Sequence, residues 1–338
     1  MHKYIIILLV SIGLFSSCFK EDEKVQPHEP GEVTTVVIPM TQYYPTQIYY
    51  NLGTNEFVGE NDRSAFDLNF DCTDTSTIIR LNTADFAMAA ETQYKKLEDV
   101  TDTIGLVWNY DKSDGNTDSL AINNWMSIDN GDTTYSNSVW VINRGITALG
   151  INLGLKKIQF YKYLRNRFYF RSSNMDDSEF VDSFVEKNDG YGMTQLSLSG
   201  ESEALQTEPR LIEWDLNFTQ YTTLLFTDEG LSYPYLVTGT LQNMNGLSVA
   251  LDTTIAFNEI VLSDTSKFDF STDQDKIGYE WKSIVGDVET GDFYYETNID
   301  YTYVIRNNRS VYYKLRFISF YSPVTGEKGY PVFEYQLL

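Results

Sequence analysis

Reactive side chains are scarce in this 338-residue chain. It holds two histidines, His2 and His28, and two cysteines, Cys18 and Cys72. Both histidines precede the first segment with a core-forming pattern, so the body of the chain has no imidazole. That removes the Ser-His-Asp triad, the Cys-His pair and any histidine-based zinc site. There is no HExxH, no phosphate-binding glycine loop and no spaced cysteine cluster. Carboxylates are plentiful, with 48 Asp and Glu against 25 Lys and Arg and a net charge of −23. No acidic pair is set apart by its context as the two carboxylates of a glycoside hydrolase would be. The chain therefore reads as no enzyme. The acidic balance, without a basic stripe, also argues against nucleic acid as a partner, because nothing is there to neutralise phosphates.

The elements that must carry any site read as strands. In Tyr312-Tyr313-Lys314-Leu315-Arg316-Phe317, alternation sets Tyr313, Leu315 and Phe317 on one face and the two bases on the other. Segments 139–142, 157–161, 168–171 and 303–306 are further strand candidates. Asn, Asp and Gly clusters at 111–116, 129–132, 243–246, 286–292 and 325–329 supply turns. Helix-like windows, such as Ala87 to Leu97, are short. The fold class is all-β and antiparallel.

The chain is also written twice. Phe66-Asp67-Leu68-Asn69-Phe70 is answered by Trp214-Asp215-Leu216-Asn217-Phe218. "YKKLEDV" at 94–100 faces "TIAFNEI" at 254–260, "IGLVWNY" at 104–110 faces "IGYEWKS" at 277–283, and "SVWVINRG" at 138–145 faces "YTYVIRNN" at 301–308. A fifth pair, "LKKIQFYK" at 155–162 and "YKLRFISFYS" at 313–322, keeps the order. Two tandem units follow, 38–190 and 191–338, with the question of a continuous core between them left open. The pattern is read with Leu68 opposite the two aromatics and with each repeated Asp capping a turn at a strand end.

Residues 1–17 combine a short basic start with an apolar run too brief to span a bilayer, which takes roughly 20 residues, so they read as a signal peptide. Ser16-Ser17-Cys18 resembles a bacterial lipoprotein box, with Cys18 as the lipidated first residue of the mature chain. Lys20, Glu21 and Asp22 resemble the export tag of surface-displayed lipoproteins in Bacteroidetes. Segment 18–37, with Pro27, Pro30 and Gly31 and no apolar periodicity, is then a lipidated tether.

With these residues in place, the chain resembles the HmuY-type lipoproteins of Bacteroidetes. The resemblance rests on the WDLxF strand, on Gly105 to Trp108 and Gly278 to Trp281, on the hydrophobic-x-Ile-Arg strand, and on the ending "YYKLRFISFYSPVTGEKGYPVFEYQLL". It implies an all-β body on the outer membrane, no catalysis, and capture of haem or another porphyrin for a TonB-dependent-type outer-membrane receptor. Members grip haem iron with two histidines or two methionines, thioether being a soft neutral ligand. With no histidine, the resemblance points to Met40, Met88, Met126, Met175, Met193 and Met244. The family's first ligand position falls on or beside Met88, and Met126 is the nearest candidate for the second. The other reading is a structural or interaction lipoprotein that contacts a glycan or a partner protein through exposed aromatics and leaves haem absorbance unchanged.

Overall fold

A computed structural model describes residues 30–200 and 202–338. Eleven strands run from β1 to β11: β1 (Thr34–Val37), β2 (Thr46–Asn51), β3 (Glu56–Asp62), β4 (Leu68–Asp71), β5 (Ile79–Leu81), β6 (Met88–Glu91), β7 (Met126–Asp129), β8 (Asp132–Tyr135), β9 (Val139–Asn143), β10 (Leu155–Leu164) and β11 (Arg167–Asn174). Eleven more follow: β12 (Val181–Glu186), β13 (Met193–Ser197), β14 (Glu203–Leu205), β15 (Leu216–Phe226), β16 (Ser232–Gln242), β17 (Ser248–Asp252), β18 (Lys282–Asp287), β19 (Asp292–Thr297), β20 (Thr302–Arg306), β21 (Tyr312–Tyr321) and β22 (Lys328–Leu337). All five strand candidates fall inside these elements. The helix-like window from Ala87 instead forms β6 and then a 3-10 turn at Leu97–Asp99, because Ala89 pairs with Ile142 and burial on the sheet overrides local propensity.

Each strand of the first series has its counterpart eleven places on. The sheets nevertheless exchange strands. The order β12-β11-β10-β9-β6 faces β14-β13-β4-β5, and β1-β22-β21-β20-β17 faces β16-β15-β2-β3. Each pair of sheets is a sandwich, but β12, β13 and β14 complete the first one while β1, β2 and β3 complete the second. One core joins Leu68, Phe70, Trp125, Trp140, Phe160 and Phe170 to Val185 and Leu196. The other joins Leu216, Phe218, Trp281, Phe317 and Phe333 to Val36, Ile48 and Tyr50. The division at 190 therefore does not follow the cores, since 34–62 packs with the carboxyl-terminal sandwich and 181–205 with the other. Full burial of such side chains contributes about 1.5–3 kcal/mol each, and it is this burial that fixes the exchange.

The duplication extends to single hydrogen bonds. Asp67 N–H donates to Leu196 O at 2.8 Å and Asp215 N–H to Tyr50 O at 2.9 Å. Asn82 Nδ2 donates to Arg63 O and Phe66 O, as Asn243 Nδ2 does to Leu211 O and Trp214 O. Lys157 Nζ reaches the carbonyls of Leu97 and Val100, and Lys314 Nζ that of Ile260, which explains the repeated "LEDV" and "FNEI". Two sequence readings need correction. Leu68 and Phe70 lie in the same core, because the strand is regular and residues two apart share a face. The counterpart of Trp281 is Trp125 rather than Trp108: each precedes a hairpin, β7-β8 or β18-β19, and accepts at its carbonyl the N–H that follows it, from Ser136 or Asn298.

Candidate functional site

The repeated Asp-Leu-Asn-Phe distributes its side chains three ways. Leu and Phe enter a core. Asp67 and Asp215 turn a carboxylate oxygen to a backbone N–H of the exchanged strand's end, Leu198 at 2.6 Å and Leu52 at 2.8 Å. The capping role read from sequence is thus present, with the neighbouring strand as donor. Asn69 and Asn217 point the remaining way. Asn69 Oδ1 accepts from Gln195 Nε2 at 3.2 Å, and Asn217 Nδ2 donates to Gln47 Oε1 at 3.2 Å.

These two amide pairs line one cavity of about 320 Å³ at the seam between the sandwiches. Tyr49, Arg80, Glu208 and Trp214 add to its wall, as do Met193 and Met244. Across the seam, Thr222 Oγ1 donates to Thr83 O at 2.8 Å, and Ser113 Oγ bonds Thr223 Oγ1 and Asp275 Oδ2. Asn217 Oδ1 and Arg80 Nε are buried with no hydrogen-bond partner among the described residues. Buried polar groups are normally satisfied, so an unpaired acceptor and an unpaired donor on one cavity wall suit a hydrogen-bonding guest. The motif's Asn was the legible sign of this site: a polar residue kept in both repeats between two core residues.

Burial pushes the Glu208 carboxyl up to about 8, an effect partly offset by the Trp214 indole and the Gly192 N–H. A carboxyl raised in the folded state favours folding while protonated, so its contribution is present at low pH and is lost as pH rises from about 4.5 to about 8. Glu208→Gln should remove that loss. Differential scanning calorimetry should find variant and wild type similar at pH 5 and the variant melting higher at pH 8; equal melting at both pH values would refute the assignment.

The methionines do not gather as the resemblance implied. Met88 is half-buried at the start of β6, where Ala89 faces the first core. Met88 and Ala90 share the opposite face, with Val141, where a small cluster around Leu97, Val100 and Val139 packs. Met126 packs against the first core itself, beside Trp125. The two thioethers thus lie on opposite faces of one sheet, and neither lines the seam cavity. Met40 is fully buried in the second core and Met175 packs with the Leu97 cluster. Only Met193, nearly buried, and Met244, 39% exposed, reach the cavity. The cavity's volume is at the small end for ligand pockets, and its wall mixes apolar side chains, among them Phe66, Leu81, Leu241 and Trp214, with amides and charged groups. Cys18, Lys20, Glu21 and Asp22 lie outside the described residues.

The HmuY family model matches residues 43–335 in one run across both repeats. The chain belongs to the HmuY family. Family members are binding proteins. Among solved structures, apo PinO from Porphyromonas gingivitis is 10% identical, with 91% of this chain and 97% of that chain covered and a TM-score of 0.30. The apo HmuY analogue of Tannerella forsythia is 11% identical, with 92% and 98% covered and a TM-score of 0.24. No curated protein matches the chain.

Proposed function

We propose that this HmuY-family protein is a non-catalytic, surface-exposed outer-membrane lipoprotein, held by lipid on Cys18, that captures a ligand and passes it to a TonB-dependent-type outer-membrane receptor. The family match over 43–335 carries this reading, and the shared cavity at the seam is where the ligand would sit. Haem or another porphyrin is the ligand class that the family suggests. Met193 and Met244, the methionines that line the cavity, would be the soft donors to haem iron there. Met88 and Met126 lie outside this cavity.

Titration of the purified protein with haemin tests this. The expected result is a saturable Soret shift that Met193→Leu or Met244→Leu diminishes and Met88→Leu leaves intact. An unchanged Soret band removes haem. The amide-rich wall then favours the second reading, a lipoprotein that contacts a glycan or a partner protein by hydrogen bonding.

A further inference from the structure

The two sandwiches differ at one equivalent place. In the first, Asp67 Oδ1 accepts from Arg144 Nε at 2.8 Å, and the rest of that guanidinium bonds Leu153 O and Ser199 Oγ. Arg144 immediately follows β9 and Ser199 immediately follows Leu198. In the second, the residue immediately after β20 is Asn307 and the residue after Leu52 is Gly53. Both exchanges, Arg to Asn and Ser to Gly, remove bulk. What remains is an open cleft of about 630 Å³ lined by Asp215, Asn307, Gly53 and Tyr313. Asp215 keeps its Oδ2 bond to Leu52 N–H, while no hydrogen bond reaches its Oδ1 among the described residues.

We propose that this cleft binds the guanidinium of an arginine side chain presented by a partner protein, in the place that Arg144 fills in the first sandwich. The internal pair supplies the geometry, since a planar guanidinium already bonds the equivalent carboxylate there. Charge agrees: Glu56, Glu213 and Asp215 line the cleft against one base, Arg309, which makes no ion pair with Asp215. Burial raises the Asp215 carboxyl, with the Leu52 N–H and Arg309 pulling it back. Val58 and Val311 offer apolar surface to the aliphatic stem of an incoming arginine. The volume exceeds a single side chain and admits the residues that flank it.

The test titrates the purified protein with the capped tripeptides acetyl-Gly-Arg-Gly-amide, its lysine analogue and its citrulline analogue, followed by calorimetry at physiological salt. Citrulline keeps the shape and loses the charge, whereas lysine keeps the charge and loses the planar fork. Saturable binding of the arginine peptide is expected, at least tenfold weaker for lysine and absent for citrulline. Asn307→Arg should abolish it by rebuilding the internal pair. Because the substitution also removes the two hydrogen bonds that Asn307 Oδ1 accepts from the N–H groups of Arg309 and Val311, a circular-dichroism spectrum matching the wild type is required to show that the variant is folded. Asp215→Asn, which retains an acceptor for Leu52 N–H, should also abolish it. No binding by the wild type, equal binding of citrulline, or binding that survives both variants overturns the proposal. The cleft and the seam cavity share Leu211, Trp214, Asn243 and Asn245, but neither set of variants changes these residues, so the haemin and peptide results remain distinguishable.

Discussion

Asp67→Ala is expected to destabilise the protein by about 3–5 kcal/mol, because it strands the buried Arg144 guanidinium as well as the Leu198 N–H. Asp215→Ala should cost about 1–3 kcal/mol, since it leaves one backbone N–H, that of Leu52, without its acceptor. The same residue in the same motif thus carries unequal weight. Asp67 is 2% exposed and its guanidinium partner 8%, so the ion pair is withdrawn from water, whereas Asp215 faces an open cleft. Urea unfolding of the two variants measures the difference as a displacement of the midpoint at constant slope. Equal displacements would mean that the Arg144 pair contributes nothing beyond the shared backbone bond.

Lys282 provides the second large effect. Burial lowers its ammonium to about 7 from an ordinary 10.5. Below pH 7 the group is charged in both folded and unfolded chains, and the desolvation cost is constant. Between about 7 and 10.5 the unfolded chain holds the proton and the folded one releases it, so stability rises with pH across that window. The full shift corresponds to roughly 5 kcal/mol. Thr238 O accepts a hydrogen bond from Nζ, and the faces of Trp281 and Phe320 lie 4.3 and 4.9 Å from it. These contacts favour the charged form and bring the expected rise down to about 3 kcal/mol. Lys282→Met should flatten the rise and melt higher at pH 7. The first sandwich already carries the substitution: Met126 follows Trp125 as Lys282 follows Trp281. Melting curves from pH 7 to 8.5, where a tyrosine with its ordinary value of 10 is still almost wholly protonated, decide it. A rise of equal size in the variant would locate the titrating group elsewhere.

The all-β class and the duplication were legible because they are written in local patterns. Alternation marked Tyr312 to Phe317, short apolar runs marked Val139 to Ile142 and Tyr303 to Ile305, and the repeated Asp-Leu-Asn-Phe marked the two halves. The pairing of Trp125 with Trp281 was hidden by a nearer Gly-x-x-Trp, since sequence similarity cannot weigh which tryptophan enters a core. Met88 and Met126 were separated by a fact no spacing contains, that β6 turns Ala89 inward and Met88 to the other face. The seam cavity was half legible. Its asparagines sit in the repeated motif, but their partners Gln47 and Gln195 arrive on exchanged strands, and strand exchange depends on tertiary packing alone.

That exchange has a bearing on how the chain is made. β1, β2 and β3 are synthesised before the strands they join, since β2 pairs with β15 and β1 with β22. The second sandwich cannot close until β22 has emerged. Its earliest strands must wait with unpaired edges while the intervening sandwich, itself in need of β12 and β13, assembles between them. Pairings this distant in sequence are slow to form and expose strand edges to aggregation, so the folding of this protein should depend on keeping its opening strands from other partners until its last strand appears.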